Sequence, residues 1–156
     1  MATVCEIVKQ VSASPERVFA VCTDFANITA NIPSIKKMEI LTPGPVGKGT
    51  RFRETRVMFG KEATETMEIA DFVPGRSVSI SGFSCGTRFL TRFDFHSEGS
   101  GTRVEMKMEF TPETLFAKLM SPLGWLMAGS MKKVIEQDLD DVKAVAEGRK
   151  ARPAKA

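Results

Sequence analysis

The sequence contains no tyrosine, one tryptophan and one histidine, and these shortages limit the chemistry it can support. Without tyrosine there is no phenolic proton donor, and the lone His96 falls on the polar face of its predicted strand, which favours a solvated position over a catalytic base. Three cysteines, Cys5, Cys22 and Cys85, are an odd number without a CxxC spacing. We therefore expect reduced, mostly buried thiols, no disulfide framework, no metal site and no cofactor.

Long apolar runs are also missing. No segment approaches the ~20 apolar residues that a membrane-spanning helix needs. The start, "MATVCEIVKQ", is broken by Glu6 and Lys9 and so lacks the pattern of a secretory signal, which makes a cytoplasmic location the default expectation. The 156 residues, of which 42% are apolar and 26% charged, are typical of one soluble globular domain.

The net charge of +3 is modest, and part of the positive excess lies in the terminal "GRKARPAKA". We expect a single domain over residues 1–148 and a basic, disordered tail over 149–156. The tail could contact RNA or anionic lipid, but no aromatic residues alternate with its charges to stack on bases. We therefore expect no nucleic-acid partner, and the sequence leaves the oligomeric state open.

The first half of the chain alternates strands with two short helices. Residues 4–11 predict a strand, after which Ser14 can cap a helix that has Pro15 at its first position. A second helical piece is expected over 27–32, and another strand over 35–41.

The later strands predict their own pairing. Residues 87–97 and 102–111 each alternate apolar and polar side chains. A loop at "EGSG" and a two-residue loop at Cys85 and Gly86 bring the apolar faces of three strands together. The resulting pairs are Phe95 with Val104, Phe93 with Met106, Thr91 with Met108, Phe89 with Phe110, Gly82 with Phe89, Ile80 with Thr91, and Val78 with Phe93.

The segment "FRETRVMFGKEATETMEI", residues 52–69, predicts a further hairpin with charges on its apolar face. A type II′ turn at Gly60 and Lys61 would place Arg56 opposite Glu65. Slipping the loop by one residue would place Glu54 opposite Glu65, a like-charge pair, so we prefer the first register. Charges on a covered strand face would be costly in a dry core, but they are tolerable if the face lines a partly wet pocket and the charges pair.

After Phe110 the periodicity becomes helical. We expect Thr111 to cap a helix with Pro112 at its first position, an interruption at Pro122 and Gly124, and then a long helix ending near Glu147. The long part carries one apolar stripe, so it should lie across the apolar face of a curved sheet. The stripe comprises Met127, Met131, Val134, Ile135, Leu139, Val142 and Val145.

This order of elements resembles the helix-grip fold of START-like and birch-pollen-allergen-like proteins, the SRPBCC superfamily. The stretches "ASPERVFAVCTDF", "IPSIKKMEIL", "GKGTRF", "GSGTRVEMKMEF" and "EQDLDDVK" are similar to landmarks of its polyketide cyclase/dehydrase branch. The resemblance implies an α+β fold, a curved antiparallel sheet wrapped around a long C-terminal helix, with a cavity for an apolar small molecule between them. It supplies no catalytic motif.

Asp138 lies on the apolar stripe of the helix and should point at the same cavity as the charged strand face. Two interpretations of these charges remain open: a buried ion network that only holds helix to sheet, or a cluster in which Arg56 orients a ligand oxygen. Trp125 could cap the cavity mouth or pack at the helix break, and we expect packing. The predicted ligand-binding residues are Phe52, Glu54, Arg56, Met58, Glu65, Met67, Phe89, Thr91, Phe93, Met106, Met108, Met131, Ile135 and Asp138.

Three functions are compatible with these features. The first is binding of a small apolar ligand with a polar end, such as a lipid, quinone or polyketide-like molecule. The second is a polyketide cyclase or dehydratase in which Glu54 or Asp138 acts as general acid or base. The third is a protein-interaction domain of the co-chaperone or ribosome-associated kind, although the sequence shows no large apolar patch expected to be exposed.

Overall fold

Seven antiparallel strands and four helices make up the structure, a computed structural model that describes residues 3–153. The strands are β1 (Thr3–Val11), β2 (Ile35–Ile40), β3 (Arg51–Met58), β4 (Lys61–Val73), β5 (Ser77–Ser84), β6 (Thr87–Glu98) and β7 (Gly101–Pro112). The helices are α1 (Pro15–Thr23), α2 (Ile28–Asn31), α3 (Leu115–Leu119) and α4 (Ser121–Ala146). This is the expected helix-grip arrangement, so the predicted fold class is confirmed.

The strands form one sheet in the order β1-β7-β6-β5-β4-β3-β2. The registers predicted for β5, β6 and β7 are confirmed, with Phe93 paired to both Val78 and Met106. A register shift between Ile69 and Asp71 interrupts the pairing of β4 with β5. Such bulges bend a strand and increase its twist, which helps the sheet curve around the helix.

The register predicted for the β3–β4 hairpin is wrong by one loop position. The turn consists of Phe59 and Gly60, both with positive φ, so it is a type I′ turn rather than a type II′ turn at Gly60 and Lys61. Glu54 therefore lies opposite Glu65, the pairing that the sequence argument rejected. Both registers keep the same residues on the same face, so the composition of the inner face is unchanged.

A dry core fills the end of the molecule where α1 and the C-terminal half of α4 meet the sheet. Ser14 caps α1 as predicted, accepting a hydrogen bond from the backbone N of Arg17. Phe19 makes edge contacts with the rings of Phe72 and Phe95, with centroids 5.2 and 5.6 Å away. Leu139 and other apolar residues of α4 complete this core.

The first helix after β7 begins later than predicted. Strand β7 continues through Thr111 and Pro112, because both pair with β6, and Thr114 rather than Thr111 caps α3 by accepting from the backbone N of Ala117. The break between helices lies at Met120. Pro122 and Gly124 are both inside α4, with the proline in its first turn, where the missing N–H costs nothing.

Helix α4 has two different halves. From Ile135 onward its inner face is buried against the sheet and α1. Its N-terminal half covers a cavity and leaves the outward side chains bare. Trp125 is 69% exposed, so the predicted packing of this residue is wrong.

The predicted tail, residues 149–156, lies only partly within the described residues. In the described part, Arg152 bonds to Asp141 through Nε and Nη2, each 3.1 Å from a carboxylate oxygen, and residues 154–156 lie outside it. No helix between residues 3 and 153 is long and apolar enough to span a membrane. No group of His, Cys, Asp and Glu side chains suited to a metal ion is found in the same range.

Candidate functional site: a cavity between sheet and helix

A cavity of about 600 Å³ lies between the inner face of the sheet and the N-terminal half of α4. Strands β3 to β7 supply its floor and α3 and α4 its roof. The cavity opens at the β3–β4 turn, the β5–β6 turn and α3, since Phe59, Cys85 and Phe116 line it and are also exposed to solvent. This volume is in the range of sites that hold small organic ligands.

Most of the predicted ligand-binding residues do line this cavity. The register of β6 and β7 brings Phe89, Phe93 and Met108 to its floor, while Met131 faces it from α4. Also in the wall are Glu54, Arg56, Met58, Glu65, Met67, Thr91, Ile135 and Asp138. Their contact with a ligand stays a prediction.

Phe52 and Met106 do not line the large cavity. Met106 is 1% exposed and packs in the dry core, and Phe52 lies against the ring of Phe25 with centroids 4.8 Å apart. Both point to the inner face, as predicted, but at the level where α1, α2 and the C-terminal half of α4 pack close to the sheet. Alternation along a strand shows which side chains face inward, but it does not show how tightly the helices pack over each of them.

Arg56 is the centre of a polar cluster in the cavity wall. Its Nε lies 2.6 Å from Glu54 Oε1, and its Nη1 lies 2.8 Å from Asp138 Oδ2. Ser34, just before β2, donates to Asp138 Oδ1 at 2.6 Å, so each oxygen of this carboxylate has a donor. The cluster therefore joins the edge of the sheet to the middle of α4.

The electrostatics of the cluster keep the guanidinium charged. Burial by itself would lower the pKa of Arg56, but the Glu54 and Asp138 carboxylates outweigh burial, so its pKa lies above the usual value. Among the described residues, no acceptor bonds to Nη2 of Arg56, and Arg56 lines the large cavity.

The expected pair of Arg56 with Glu65 is not formed. Glu65 instead accepts a hydrogen bond from Ser84 Oγ at 2.7 Å, while Arg56 contacts the two other carboxylates. These separate donors direct the Glu54 and Glu65 carboxylates to different partners, which offsets the like-charge register that the sequence argument excluded. The wall of the large cavity consequently holds Glu54, Glu65 and Asp138 against one cation, Arg56.

A second, smaller cavity of about 110 Å³ lies on the other side of this cluster, toward α1 and α2. Phe52, Cys22 and Leu139 line it, and it shares Glu54, Arg56 and Asp138 with the large cavity. The polar cluster thus stands where the two spaces meet. Cys22 is partly buried there, and burial raises the pKa of its thiol to about 12.

Sequence reasoning missed several residues of the site. Ile80 and Phe110 line the cavity and follow directly from the correct pairs with Thr91 and Phe89, so the registers contained the signal. Phe116 was missed because the start of α3 was misplaced. Ser34 carried no signal, since its bond to Asp138 joins residues far apart in the chain.

The expected absence of a large exposed apolar patch is contradicted by the structure. Large apolar side chains are exposed along α3 and the first turns of α4. They are Leu115, Phe116, Leu119, Met120, Leu123, Trp125, Leu126 and Met127. The cysteines differ in exposure, since Cys5 is buried, Cys22 is partly buried and Cys85 is exposed at the cavity mouth.

Solved structures of other proteins share this fold. TTHA0849 from Thermus thermophilus is 19% identical with a TM-score of 0.73, over 94% of this chain and 98% of that one. Ara h 8.0201 is 16% identical with a TM-score of 0.74, over 96% and 100%. The Zhui aromatase/cyclase from Streptomyces sp. R1128 is 18% identical with a TM-score of 0.74, over 94% of each chain. At these identities the likeness establishes the fold alone.

Sequence comparison gives the family. No curated protein is similar enough to this chain to be matched to it. A family sequence model described as polyketide cyclase/dehydrase and lipid transport matches residues 3–147, nearly the whole chain. The resemblance drawn from the sequence landmarks is thereby confirmed, and this chain belongs to the polyketide cyclase/dehydrase and lipid transport family.

Proposed function

We propose that this protein binds a small apolar molecule with a polar end, such as a lipid, a quinone or a polyketide-like compound, in the large cavity. The observation that carries the proposal is a cavity of about 600 Å³, open at one end, whose wall is mostly apolar and contains one polar cluster. Met and Phe side chains make up a large part of that wall, and methionine adapts to ligands of different shape. These are Met58, Met67, Met108, Met120, Met127, Met131, Phe59, Phe89, Phe93, Phe110 and Phe116.

The charges of the cavity wall indicate which polar group the ligand should carry. Glu54, Glu65 and Asp138 outnumber Arg56, and two of these carboxylates already bond to the guanidinium. A ligand carboxylate would meet net negative charge in a poorly solvated space, which is unfavourable. A neutral carbonyl or hydroxyl oxygen can instead accept from Nη2 of Arg56 without that cost.

The proposal is tested by displacing Nile red, a neutral apolar dye, with a long-chain alcohol and with the carboxylic acid of the same length. We expect the alcohol to displace the dye at about tenfold lower concentration than the acid, a difference of roughly 1.4 kcal/mol. Stronger displacement by the acid would contradict the charge argument.

A variant pair locates the binding site. Met108→Trp should fill part of the cavity and weaken dye binding, whereas Leu90→Trp places the same ring on the outer face of the adjacent strand and should leave binding unchanged. Equal binding by the parent and by Met108→Trp would mean that the ligand site lies elsewhere. Native mass spectrometry of freshly purified protein would identify a ligand that co-purifies.

A second candidate function is a cyclase or dehydratase, favoured by the two carboxylates beside Arg56 in an apolar cavity. In that reaction Glu54 or Asp138 would move a proton while Arg56 steadies an enolate oxygen. Both carboxylates accept hydrogen bonds from Arg56, however, and a general acid works best without a neighbouring cation. Loss of water from a bound poly-ketone, abolished by Glu54→Gln or Asp138→Asn but not by Glu109→Gln, would support the enzyme.

A further inference from the structure

An exposed apolar surface adjoins the mouth of the large cavity. We call the tip surface the set of outward side chains on α3 and the start of α4 that are between 49% and 85% exposed: Leu115, Phe116, Leu119, Leu123, Trp125 and Leu126. Phe59, in the β3–β4 turn, is also exposed and lines the same mouth. An apolar surface of this extent on one end of a small protein is typical of an interaction site.

Along α3 and the first half of α4 the charged residues all have one sign. Between Thr114 and Ile135 the sequence contains Lys118, Lys132 and Lys133 and no acidic residue. All three lysines are exposed, and no ion pair joins any of them to another described residue. The occupant of this surface should therefore be apolar at its centre and negatively charged at its edge.

The exposed apolar side chains and the two adjacent lysines of α4 lie at different positions along the helix axis. Lys132 and Lys133 follow Trp125 and Leu126 by seven residues, which is about two turns, so they lie on the same sides of α4 roughly 10.5 Å further along its axis. Beyond the lysines, the next charged residues of the helix are acidic, beginning with Glu136. The order is an apolar end, then a basic band, then acidic residues.

We propose that the tip surface docks on an anionic phospholipid bilayer, with its apolar side chains at the acyl boundary and the lysines at the headgroups. Amphipathic segments bury their apolar side chains ~5–10 Å into this region, and tryptophan is enriched at its edge. Along α4 the apolar side chains come first and the lysines next, which matches the order of acyl chains and headgroups in a bilayer. A second copy of the chain fits less well, because it would bring two sets of lysines together without an acid between them.

Docking in this position would bring the cavity mouth to the bilayer. Phe116 and Leu123 belong to both the tip surface and the cavity wall, so a bilayer that contacts the tip surface would also reach the cavity mouth. Docking itself requires no ligand in the cavity and does not depend on the ligand class proposed above.

Trp125 is the only tryptophan, so its fluorescence reports this surface alone. The test compares vesicles of phosphatidylcholine with vesicles of equal parts phosphatidylcholine and phosphatidylglycerol. With the anionic vesicles we expect co-sedimentation and a blue shift of Trp125 emission, both weakened by added salt because salt screens the lysines. No blue shift, or equal binding to neutral vesicles, would overturn the proposal.

Surface variants provide the matched comparison. Leu119→Gln/Leu126→Gln should weaken vesicle binding by about tenfold or more, since two apolar side chains no longer enter the interface. Val4→Gln/Val8→Gln removes two exposed apolar residues from the outer face of β1 and should bind like the parent. Lys118→Gln/Lys133→Gln should lose the preference for anionic vesicles.

Two further readouts separate the alternatives. All of these variants change exposed side chains outside the polar cluster, so unchanged circular dichroism and Nile red binding would show that fold and cavity are intact. A concentration-dependent dimer in analytical ultracentrifugation that Leu119→Gln/Leu126→Gln abolishes, without vesicle binding by the parent, would show that a second copy covers the tip surface and would overturn the bilayer proposal.

Discussion

The Arg56 guanidinium links strand β3 to helix α4, with Nη1 2.8 Å from Asp138 Oδ2. The same side chain holds Glu54 through Nε, so one cation serves two carboxylates whose side chains are each 12% exposed. Leaving either carboxylate in this wall without a hydrogen-bond donor would cost considerable free energy. The stability of the fold and the polarity of the cavity therefore depend on one residue.

Replacing this residue as Arg56→Met should lower the free energy of unfolding by about 3 kcal/mol, because two mostly buried carboxylates lose their cation. The triple variant Arg56→Met/Glu54→Gln/Asp138→Asn should recover most of the loss, since no uncompensated charge remains. Urea denaturation measures both.

The matched control for this series is Arg56→Met/Glu65→Leu. Glu65 bonds to Ser84 and not to Arg56, so this change should recover little. Full recovery by the control would show that Arg56 and Glu65 interact in solution. If the triple variant is stable but no longer binds the alcohol that the parent holds, the cluster orients ligand.

The three cysteines should differ sharply in reactivity. Burial raises the pKa of Cys22 to about 12 and also raises the pKa of Cys5, whereas Cys85 is exposed in the β5–β6 turn. Because the thiolate is the nucleophile, we expect one fast and two slow thiols with Ellman's reagent at mildly alkaline pH.

Cys85→Ser should remove the fast phase and leave the slow ones. Since Cys85 lines the mouth of the large cavity, ligand binding should also slow its labelling. A fast phase that survives Cys85→Ser would mean that Cys5 or Cys22 reaches solvent more easily than its burial indicates.

The end of the chain should contribute to stability through Arg152. Asp141 is 2% exposed, and the backbone N, Nε and Nη2 of Arg152 donate to it. Its hydrogen bond to Asp141 is the main reason that the pKa of Arg152 is raised. Arg152→Met should cost about 2 kcal/mol, because a buried carboxylate loses charged donors. Thermal denaturation compared with Lys150→Met, which should be neutral, checks this, and equal melting temperatures would contradict it.

Glu147 should make stability depend on pH at the acid end. The backbone N–H of Ser12, 2.8 Å from Oε2, together with Arg149 and Lys143, lowers the pKa of Glu147 below the value of 4.5 expected in the unfolded chain. A folded-state pKa below the unfolded one stabilises the protein above pH 4.5, and this contribution is lost as the pH falls through the folded pKa.

The stability difference between the parent and Glu147→Gln should therefore be largest near neutral pH and shrink as the solution becomes acidic. Urea denaturation across this pH range measures it. Glu109→Gln serves as control, because the pair of Glu109 with Lys107 lies on the outer sheet face and is partly exposed, so it should show little pH-dependent difference. A constant offset for Glu147→Gln would exclude the linkage.

Local sequence patterns were enough to predict the strand pairing where the alternation of side chains and the turn residues indicated the same register. The Cys85-Gly86 turn and the apolar alternation of β6 and β7 admit one register that aligns three apolar faces, and the structure has it. The fold class followed from these hairpins and from the single apolar stripe of α4, because such a stripe needs a sheet face to cover.

The β3–β4 register could not be decided in this way. Both candidate turns keep Glu54, Arg56 and Glu65 on the inner face, so alternation does not distinguish them. The difference depends on Asp138, which lies 82 residues beyond Arg56, and on Ser84, which provides Glu65 with a donor. Partners so distant in sequence leave no periodic signal.

The sequence by itself determined which faces of the strands and of α4 turn inward, because the periods of 2 and 3.6 residues are local properties of the backbone. Only the tertiary structure decided how deep each inward side chain lies. Met106 belongs to the core cluster that includes the C-terminal half of α4, whereas Met108, two residues further along the strand, lines the open cavity. Toward its N-terminus, α4 is separated from the sheet by the cavity. Trp125 and its neighbours therefore have no packing partner and stay exposed.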